Sequence, residues 1–306
     1  AIAFVGTMNP TSGDASVFLP LEQTALTQTV EPRRRTALFA RYSLVGSVAG
    51  ALGVLAAAAP DLAASWAGWA RATVTQLMFA VYAVLGIVAL LLYRPLSPAV
   101  EATLEAPPAP LQQSRRLVYR MAALFGMDSF GTGFLVQSLL ALWLYQKFHL
   151  SVVLAGTIFF WTGVLSAFSY LVAARIARRI GLVNTMVFTH LPSNVLLLAM
   201  PFVSELHWVI ALLLVRSALS QMDVPTRSSY VMAVVTPSER AAAASITSVP
   251  RSLASAASPV LAGYLLGLSS FGWPLIVAGS VKIAYDVLLL VTFRAVRAPE
   301  ESASSR

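Results

Sequence analysis

Eight apolar runs, each long enough to cross a lipid bilayer as a helix, occupy most of this 306-residue chain. A transmembrane helix needs about 20 predominantly apolar residues. The runs are separated by breaks rich in charge, proline or glycine, and they cover residues 36–59, 72–93, 117–144, 150–174, 182–203, 208–233, 241–267 and 271–293. No run alternates apolar and polar residues with a period of two, which excludes a transmembrane β-barrel. We therefore predict an all-α, polytopic transmembrane bundle.

The composition agrees with a chain that is surrounded mostly by lipid. Hydrophobic residues make up 58% of the chain and charged residues 11%, about half the charged fraction of a typical soluble domain. This balance excludes a disordered chain, an ordinary soluble enzyme and a nucleic-acid-binding domain, and the lack of cysteine excludes a disulfide-stapled module. His149, His190 and His207 are dispersed near predicted helix ends without carboxylates at ligand spacing, so we expect no metal, cofactor or enzymatic chemistry.

The two ends of the chain and its longest break define the predicted domains. Residues 1–30 begin with a shorter apolar stretch that predicts the second half of a ninth helix. The break at 95–116 contains five prolines, which favours a stiff polar linker. We predict about nine spans: three in a bundle at residues 1–94, the linker at 95–116, six in a bundle at 117–297, and a tail at 298–306.

Basic residues collect in alternate breaks. The basic residues of the odd-numbered breaks and the tail are Arg33, Arg34, Arg35, Arg94, Arg115, Arg116, Arg120, Arg175, Arg178, Arg179, Arg240, Arg294, Arg297 and Arg306. The even-numbered breaks hold only Arg71 and Lys147. Cytoplasmic loops carry an excess of lysine and arginine, so we predict that the odd-numbered breaks and the C-terminus are cytoplasmic. This orientation signal accounts for most of the net charge of +8 without a nucleic-acid partner.

Two segments of the chain resemble each other at matching topological positions. Residues 30–37 and 235–242 each follow a helix, lie in a cytoplasmic break and open the next helix with a Pro-x-x-Arg pattern, at Pro32–Arg35 and Pro237–Arg240. Proline suits the first turn of a helix, and Glu239 lies where a capping box would need it. The two copies have the same orientation and lie six predicted helices apart.

On these features the whole chain resembles the transporters of the major facilitator superfamily. Parallel six-helix repeats are the plan of that family, and its Pro-x-x-Arg motif matches both copies. Its basic loop is similar to residues 174–179, although Ala174 and Ala177 stand where the family has Asp and Gly. The resemblance implies that the chain runs from the family's fourth helix to its twelfth, so three N-terminal helices, on the order of 80–90 residues, would be absent.

Small residues and prolines mark candidate sites of close helix packing. Gly46, Gly50 and Gly53 resemble a glycine-rich motif of the family's drug–proton antiporters, although the motif's proline is missing. Pro259 and Gly263 form a closer match in the helix predicted at 241–267. Small residues let helices approach closely and proline bends them, so we interpret these positions as packing sites.

Ionisable residues inside predicted spans are candidates for the transport pathway because they are costly to bury in a membrane. Asp128 and Arg216 are the leading candidates. The resemblance places their helices at the family's central cavity, together with the first helix, and the wider set is Asp128, Arg216, Gln137, Gln221, Asp14 and Glu22. A buried carboxylate without a partner would have a raised pKa, which would suit Asp128 to proton coupling. Glu22 has the alternative of lying at the solvated surface.

Further charges suggest a cytoplasmic gate. Asp223 and Arg227 are four residues apart on one helix, so they are either a gate latch or a simple ion pair. The other candidate latch residues are Arg240, Arg35, Arg178 and Arg179. Lys282 and Asp286 have the same spacing, and we predict a structural ion pair there.

The resulting functional prediction is transport by alternating access, with proton-coupled efflux by an antiporter as the leading mechanism. We expect a monomeric, multi-pass protein of the inner (plasma) membrane whose partners are a small-molecule substrate, protons and lipid. Two alternatives remain open within transport, a metabolite facilitator and a proton symporter. A third alternative is a membrane scaffold or sensor that does not transport.

Overall fold

A computed structural model describes residues 19–56, 59–95 and 109–296, and every regular element in these ranges is a helix. The α-helices are α1 (Leu19–Gln28), α2 (Arg35–Ala56), α3 (Ala59–Ala67), α4 (Arg71–Tyr93), α5 (Arg115–Gly133), α6 (Gln137–Phe148), α7 (Val152–Ile180), α8 (Leu182–Ala199), α9 (Leu206–Ser220), α10 (Asp223–Val234), α11 (Arg240–Leu268) and α12 (Trp273–Phe293). Short 3₁₀ turns occupy Pro32–Arg34, Met200–Phe202 and Pro237–Glu239. The predicted all-α membrane bundle is confirmed.

Five helical segments within the described residues are long and apolar enough to cross a membrane by themselves. They are Ala72–Leu92, Leu154–Ile180, Leu182–Phe202, Leu206–Val234 and Trp273–Phe293. The remaining predicted spans coincide with α2, α5–α6 and α11, whose small and polar residues lower their mean hydropathy. The total of nine spans stays a prediction. The short helix α3, which lies in a predicted break, was not anticipated.

Two predicted spans are interrupted by non-helical residues. The run at 117–144 separates into α5 and α6 around residues 134–136, and the run at 208–233 separates into α9 and α10 at Gln221 and Met222. Pro225 explains the second break: it lies in the first turn of α10, and proline has no N–H to donate to the residue four positions earlier. The break places Asp223 at the start of α10.

The described residues form two compact units, one from residues 48–56 and 59–95 and the other from residues 19–47 and 109–296. In the smaller unit α3 packs against α4, and α4 exposes large apolar side chains such as Leu85, Leu90 and Leu92. An apolar exposed helix of this length is typical of a lipid-facing span.

The larger unit has two separate apolar core clusters. One contains Phe125, Val187 and Tyr285, and the other contains Phe134, Leu197 and Ala278. On α5, α8 and α12 the buried residues between these clusters are glycine, polar or charged, and they include Asp128, His190 and Lys282. A polar layer therefore crosses the middle of the larger unit, with apolar packing on either side.

Candidate functional site

Asp128 lies at the centre of this polar layer. It is buried on α5, and Lys282 Nζ lies 2.5 Å from its Oδ1. Arg227 Nη1 lies 3.3 Å from Oδ2, and His190 Nε2 lies 3.8 Å from Oδ1. Cationic or titratable groups from α12, α10 and α8 therefore meet at one carboxylate on α5. The condition we set for a proton-carrying Asp128, a buried carboxylate without a partner, is not met.

Lys282 forms its ion pair with Asp128 rather than with Asp286. Its ammonium group donates to Asp128 and to Thr132 Oγ1, at 2.8 Å. The predicted Lys282–Asp286 pair is wrong because Asp128 and Thr132 reach into the layer from α5 on the side of α12 that carries Lys282. The close approach of the two helices has room only for glycine at Gly131, where an added Cβ would lie 2.8 Å from Lys282 Cγ.

Asp286 is paired with α8 instead. His190 Nδ1 lies 2.8 Å from Asp286 Oδ1, and the side-chain amide of Asn194 donates to Asp286 Oδ2 at 2.9 Å. His190 and Asp286 are buried, and the ring of Tyr285 meets the His190 ring edge-on, with centroids 5.9 Å apart. His190 lies in the middle of α8, so our placement of it near a helix end was wrong.

Arg227 contacts the buried network and also lines a cleft in the larger unit. It forms the anticipated contact with Asp223, which is also buried, and its guanidinium carbon lies 5.3 Å from the centre of the Phe125 ring. Through Asp128 and Asp223, the cation on α10 is held by carboxylates on two helices. A guanidinium is more weakly hydrated than an ammonium and suits such a partly desolvated position.

The cleft that Arg227 lines lies between α1, α5, α10 and α11. Its polar lining consists of Gln23, Arg227, Ser228, Thr247, Ser248 and Arg251. Arg251 Nε donates to Ser129 Oγ at 3.3 Å, and Gln23 donates to Ser228 Oγ at 3.2 Å. The lining includes the two guanidinium groups and the hydroxyl groups of Ser228, Thr247 and Ser248. Guanidinium and hydroxyl groups are donors of the kind that bind negatively charged groups in proteins.

The other predicted pathway residues lie outside the network. Arg216 on α9 is half-buried, and its Nε is buried without a hydrogen bond to any described residue. Gln221, in the break before α10, accepts from Tyr170 at 3.3 Å. Glu22 on α1 accepts from Tyr42. Gln137 is exposed at the start of α6, and Asp14 lies outside the described residues.

The predicted latch residues, apart from Asp223 and Arg227, are spread over three helix ends. Arg35 is buried at the start of α2, and Arg240 Nε donates to the Met232 carbonyl oxygen at 3.1 Å. Arg178 and Arg179 are exposed in the last turn of α7. These four side chains therefore belong to different places in the described chain, and their gating role stays a prediction.

Among the described residues, the closest helix packing occurs at Gly133, and the packing role of Gly46, Gly50, Gly53 and Gly263 stays a prediction. A Cβ added to Gly46, Gly50, Gly53 or Gly263 would meet no described atom within 4 Å. A Cβ on Gly133 would lie 1.9 Å from Ser258 Oγ, so the backbone of α5 presses directly on α11. Ser258 directly precedes Pro259 on α11, so the closest contact of that helix falls one residue from the predicted packing position.

Comparison with known proteins decides the family. The family model of the Major Facilitator Superfamily matches residues 13–222. The chain belongs to this superfamily. It is also 22% identical over 339 aligned positions to an uncharacterized membrane protein of Saccharomyces cerevisiae, covering 99% of this chain and 76% of that protein.

A solved structure supports the same fold. The crystal structure of the human organic anion transporter MFSD10 (TETRAN) aligns with a TM-score of 0.68 and 21% identity, covering 89% of this chain and 67% of that one. Together with the apolar helices, these similarities make this chain a multi-pass membrane protein of a transporter family.

Proposed function

We propose that this protein transports a small organic anion across the membrane by alternating access and that the transport is coupled to protons. The observation that carries the substrate class is the presence of two guanidinium groups, those of Arg227 and Arg251, in the lining of one cleft. An arginine can bind a carboxylate through two parallel hydrogen bonds, which gives both affinity and orientation. The solved neighbour is itself an organic anion transporter, which is consistent with this class.

The network behind the cleft supports proton coupling. Arg227 contacts Asp128 and Asp223 on one side and lines the cleft on the other. A proton added to the network removes negative charge beside Arg227, and this strengthens the attraction of the cleft for an anion. By linkage, a bound anion must favour proton binding to the same degree. Proton and anion therefore bind together, which is the behaviour of a symporter.

For an anionic substrate, this arrangement of charges favours a symport mechanism over proton-coupled efflux by an antiporter. An antiporter requires the proton and the substrate to exclude each other, which a cationic substrate bound to the carboxylates would do. Proton-coupled efflux therefore stays a second candidate, tied to cationic substrates. We also propose that the protein is a monomer in the plasma membrane and that its C-terminus is cytoplasmic.

The substrate class is tested by uptake into proteoliposomes that contain the purified protein. The probes are radiolabelled p-aminohippurate as the organic anion and tetraethylammonium as the organic cation. We expect uptake of the anion alone. Arg251→Gln should lower that uptake by roughly tenfold, because a hydrogen bond to a charged group contributes about 1.5–3 kcal/mol.

The matched control is Arg178→Gln, which removes an exposed arginine far from the lining. It should transport like the wild type. Uptake of the cation alone, or an Arg251→Gln variant that takes up the anion normally, would contradict the proposal. Binding of the anion without any flux would favour a scaffold or sensor.

A further inference from the structure

We infer that the coupling proton is held by the His190–Asp286 pair, between α8 and α12, rather than by Asp128. This inference rests on the proposed proton-coupled transport and names the residues that bind the proton.

Both ring nitrogens of His190 face carboxylates. Nδ1 lies 2.8 Å from Asp286 and Nε2 lies 3.8 Å from Asp128. A neutral imidazole has one N–H and one lone pair, so one of the two carboxylates would face a lone pair. Only the protonated ring presents hydrogen to both sides. The Asp286 contact is within hydrogen-bond distance, whereas Asp128, at 3.8 Å, favours a positively charged ring by charge alone, so both carboxylates favour an imidazolium.

The charge count of the contacting groups points the same way. Asp128, Asp223 and Asp286 bring three negative charges, and Arg227 and Lys282 bring two positive charges. Without the proton these five groups have one uncompensated negative charge, and with His190 protonated the sum is zero. An uncompensated buried charge is costly, so the network has a place for one additional proton.

The surroundings of α8 allow this proton to leave as well as to bind. The charged or titratable groups of the surrounding network are Asp128 from α5, Arg216 from α9, Asp223 and Arg227 from α10, and Tyr285 and Lys282 from α12. The helix α7 has no charged side chain before Arg175. Arg216 makes no ion pair with the described residues but faces the network at longer range. Its charge acts on Asp128 and partly offsets, at longer range, the negative charge that the contacting groups keep when the proton leaves.

Asp128 connects the proton to the substrate. It lies between His190 and Lys282 on one side and Arg227 on the other. A protonated His190 competes with Arg227 for Asp128, and the guanidinium becomes more available to an anion in the cleft. Asn194 donates to Asp286 Oδ2 and so holds the carboxylate in place. In this account Asp286 and His190 bind the proton, and Asp128 is a positioning residue that transmits its effect.

The proton site can be observed without transport. The chain has three histidines, and His149 and His207 are exposed, so protein labelled with [15N]histidine in nanodiscs gives three ring systems to follow. Single His149→Gln and His207→Gln variants identify the His190 signals by elimination. We expect the His190 ring to change between two N–H groups and one N–H group over the pH range in which transport depends on pH. Asp286→Asn should abolish this change.

The same variants separate coupling from transport itself. In proteoliposomes, His190→Gln and Asp286→Asn should still exchange anion for anion, because neither side chain lines the cleft, but this exchange should no longer depend on pH. Proton-driven accumulation should fall roughly tenfold, the usual size of a coupling between two sites. His207→Gln is the matched control, because His207 also faces a carboxylate, Glu205 at 3.3 Å, but both side chains are 65% exposed.

Each outcome bears on one claim. A His190 ring that keeps the same protonation state at every pH, or proton-driven accumulation that survives in both variants, would overturn the assignment. A wild-type protein that exchanges no anion would contradict the proposed function, while the titration would still decide whether His190 and Asp286 bind a proton.

Discussion

At the scale of single residues, the contact between Lys282 and Asp128 tests whether the network is one electrostatic unit. Lys282→Met removes the closest cation of a buried carboxylate, and breaking a buried pair from one side costs about 3–5 kcal/mol. We expect a clear loss in the free energy of unfolding, measured by denaturant titration in detergent micelles. Arg179→Met, which removes an exposed cation, should change it by less than about 0.5 kcal/mol.

The double variant Lys282→Met, Asp128→Asn supplies the decisive comparison for this pair. Because it removes both partners, its destabilisation should be smaller than the sum of the two single variants, by about 1–3 kcal/mol. Additive effects would show that the two side chains do not interact, which would contradict an electrostatic link between α12 and α5.

The residue scale also shows which contacts the sequence could predict. Asp223 and Arg227 are four residues apart on one helix, and this spacing alone indicates their contact. Lys282 and Asp128 are 154 residues apart, so only the packing of α5 against α12 brings them together. The same spacing rule failed for Lys282 and Asp286 because each has a stronger partner on another helix. His190 was missed because we judged it by metal-ligand spacing rather than as an ionisable residue within a span.

At the scale of elements, Glu239 joins the starts of two helices. It ends the 3₁₀ turn before α11, and its buried carboxylate accepts from the backbone N–H groups of Gln112, Gln113 and Ser114, at 2.6 to 2.9 Å. These three residues lead into α5. Burial by itself would raise the pKa of Glu239, but the hydrogen bonds from these N–H groups outweigh it and lower the pKa to about 2.

The sign of this shift predicts a specific pH dependence. A lowered pKa in the folded state means that ionised Glu239 stabilises the fold fully above its ordinary pKa of 4.5. The contribution is lost as the pH falls from there through about 2. Glu239→Gln should therefore weaken the junction equally at pH 6 and pH 8, by about 1 kcal/mol, the usual effect of losing a helix cap.

Hydrogen exchange at the start of α5 measures this effect. The amides of residues 112–118 should exchange faster in Glu239→Gln, while Glu205→Gln, which changes an exposed glutamate, should leave them unaffected. Unchanged protection in Glu239→Gln would mean that the three N–H contacts do not hold this segment in place.

The sequence predicted the positions of the helices better than the points at which they are interrupted. Apolar runs indicated the positions of the helices because a span must satisfy its own backbone hydrogen bonds. The break before α6 was missed because residues 134–136 are apolar, and the break before α10 was missed although Gln221 and Pro225 interrupt the apolar run. Pro225 and the glycines that precede residue 134 were available cues, but their meaning depends on neighbours such as Ser258 that the sequence does not reveal.

At the scale of the whole molecule, two findings meet. The family assignment makes the protein a multi-pass transporter, and the larger unit contains a charged layer beside a basic cleft. The sequence indicated the family through its paired Pro-x-x-Arg motifs and its basic loops. It could not indicate the cleft, because only tertiary packing brings Gln23 on α1 beside Arg227 and Arg251 on α10 and α11. The charge of the cleft is what changes the leading mechanism from antiport to symport.

The central claim is that proton and organic anion move together, and a pH electrode tests it most directly. Proteoliposomes are suspended in weakly buffered medium without a pH gradient, and p-aminohippurate is added outside. A symporter takes up a proton with each anion, so we predict that the medium becomes more alkaline as the anion enters. Acidification of the medium, or anion entry with no change in pH, would contradict the account.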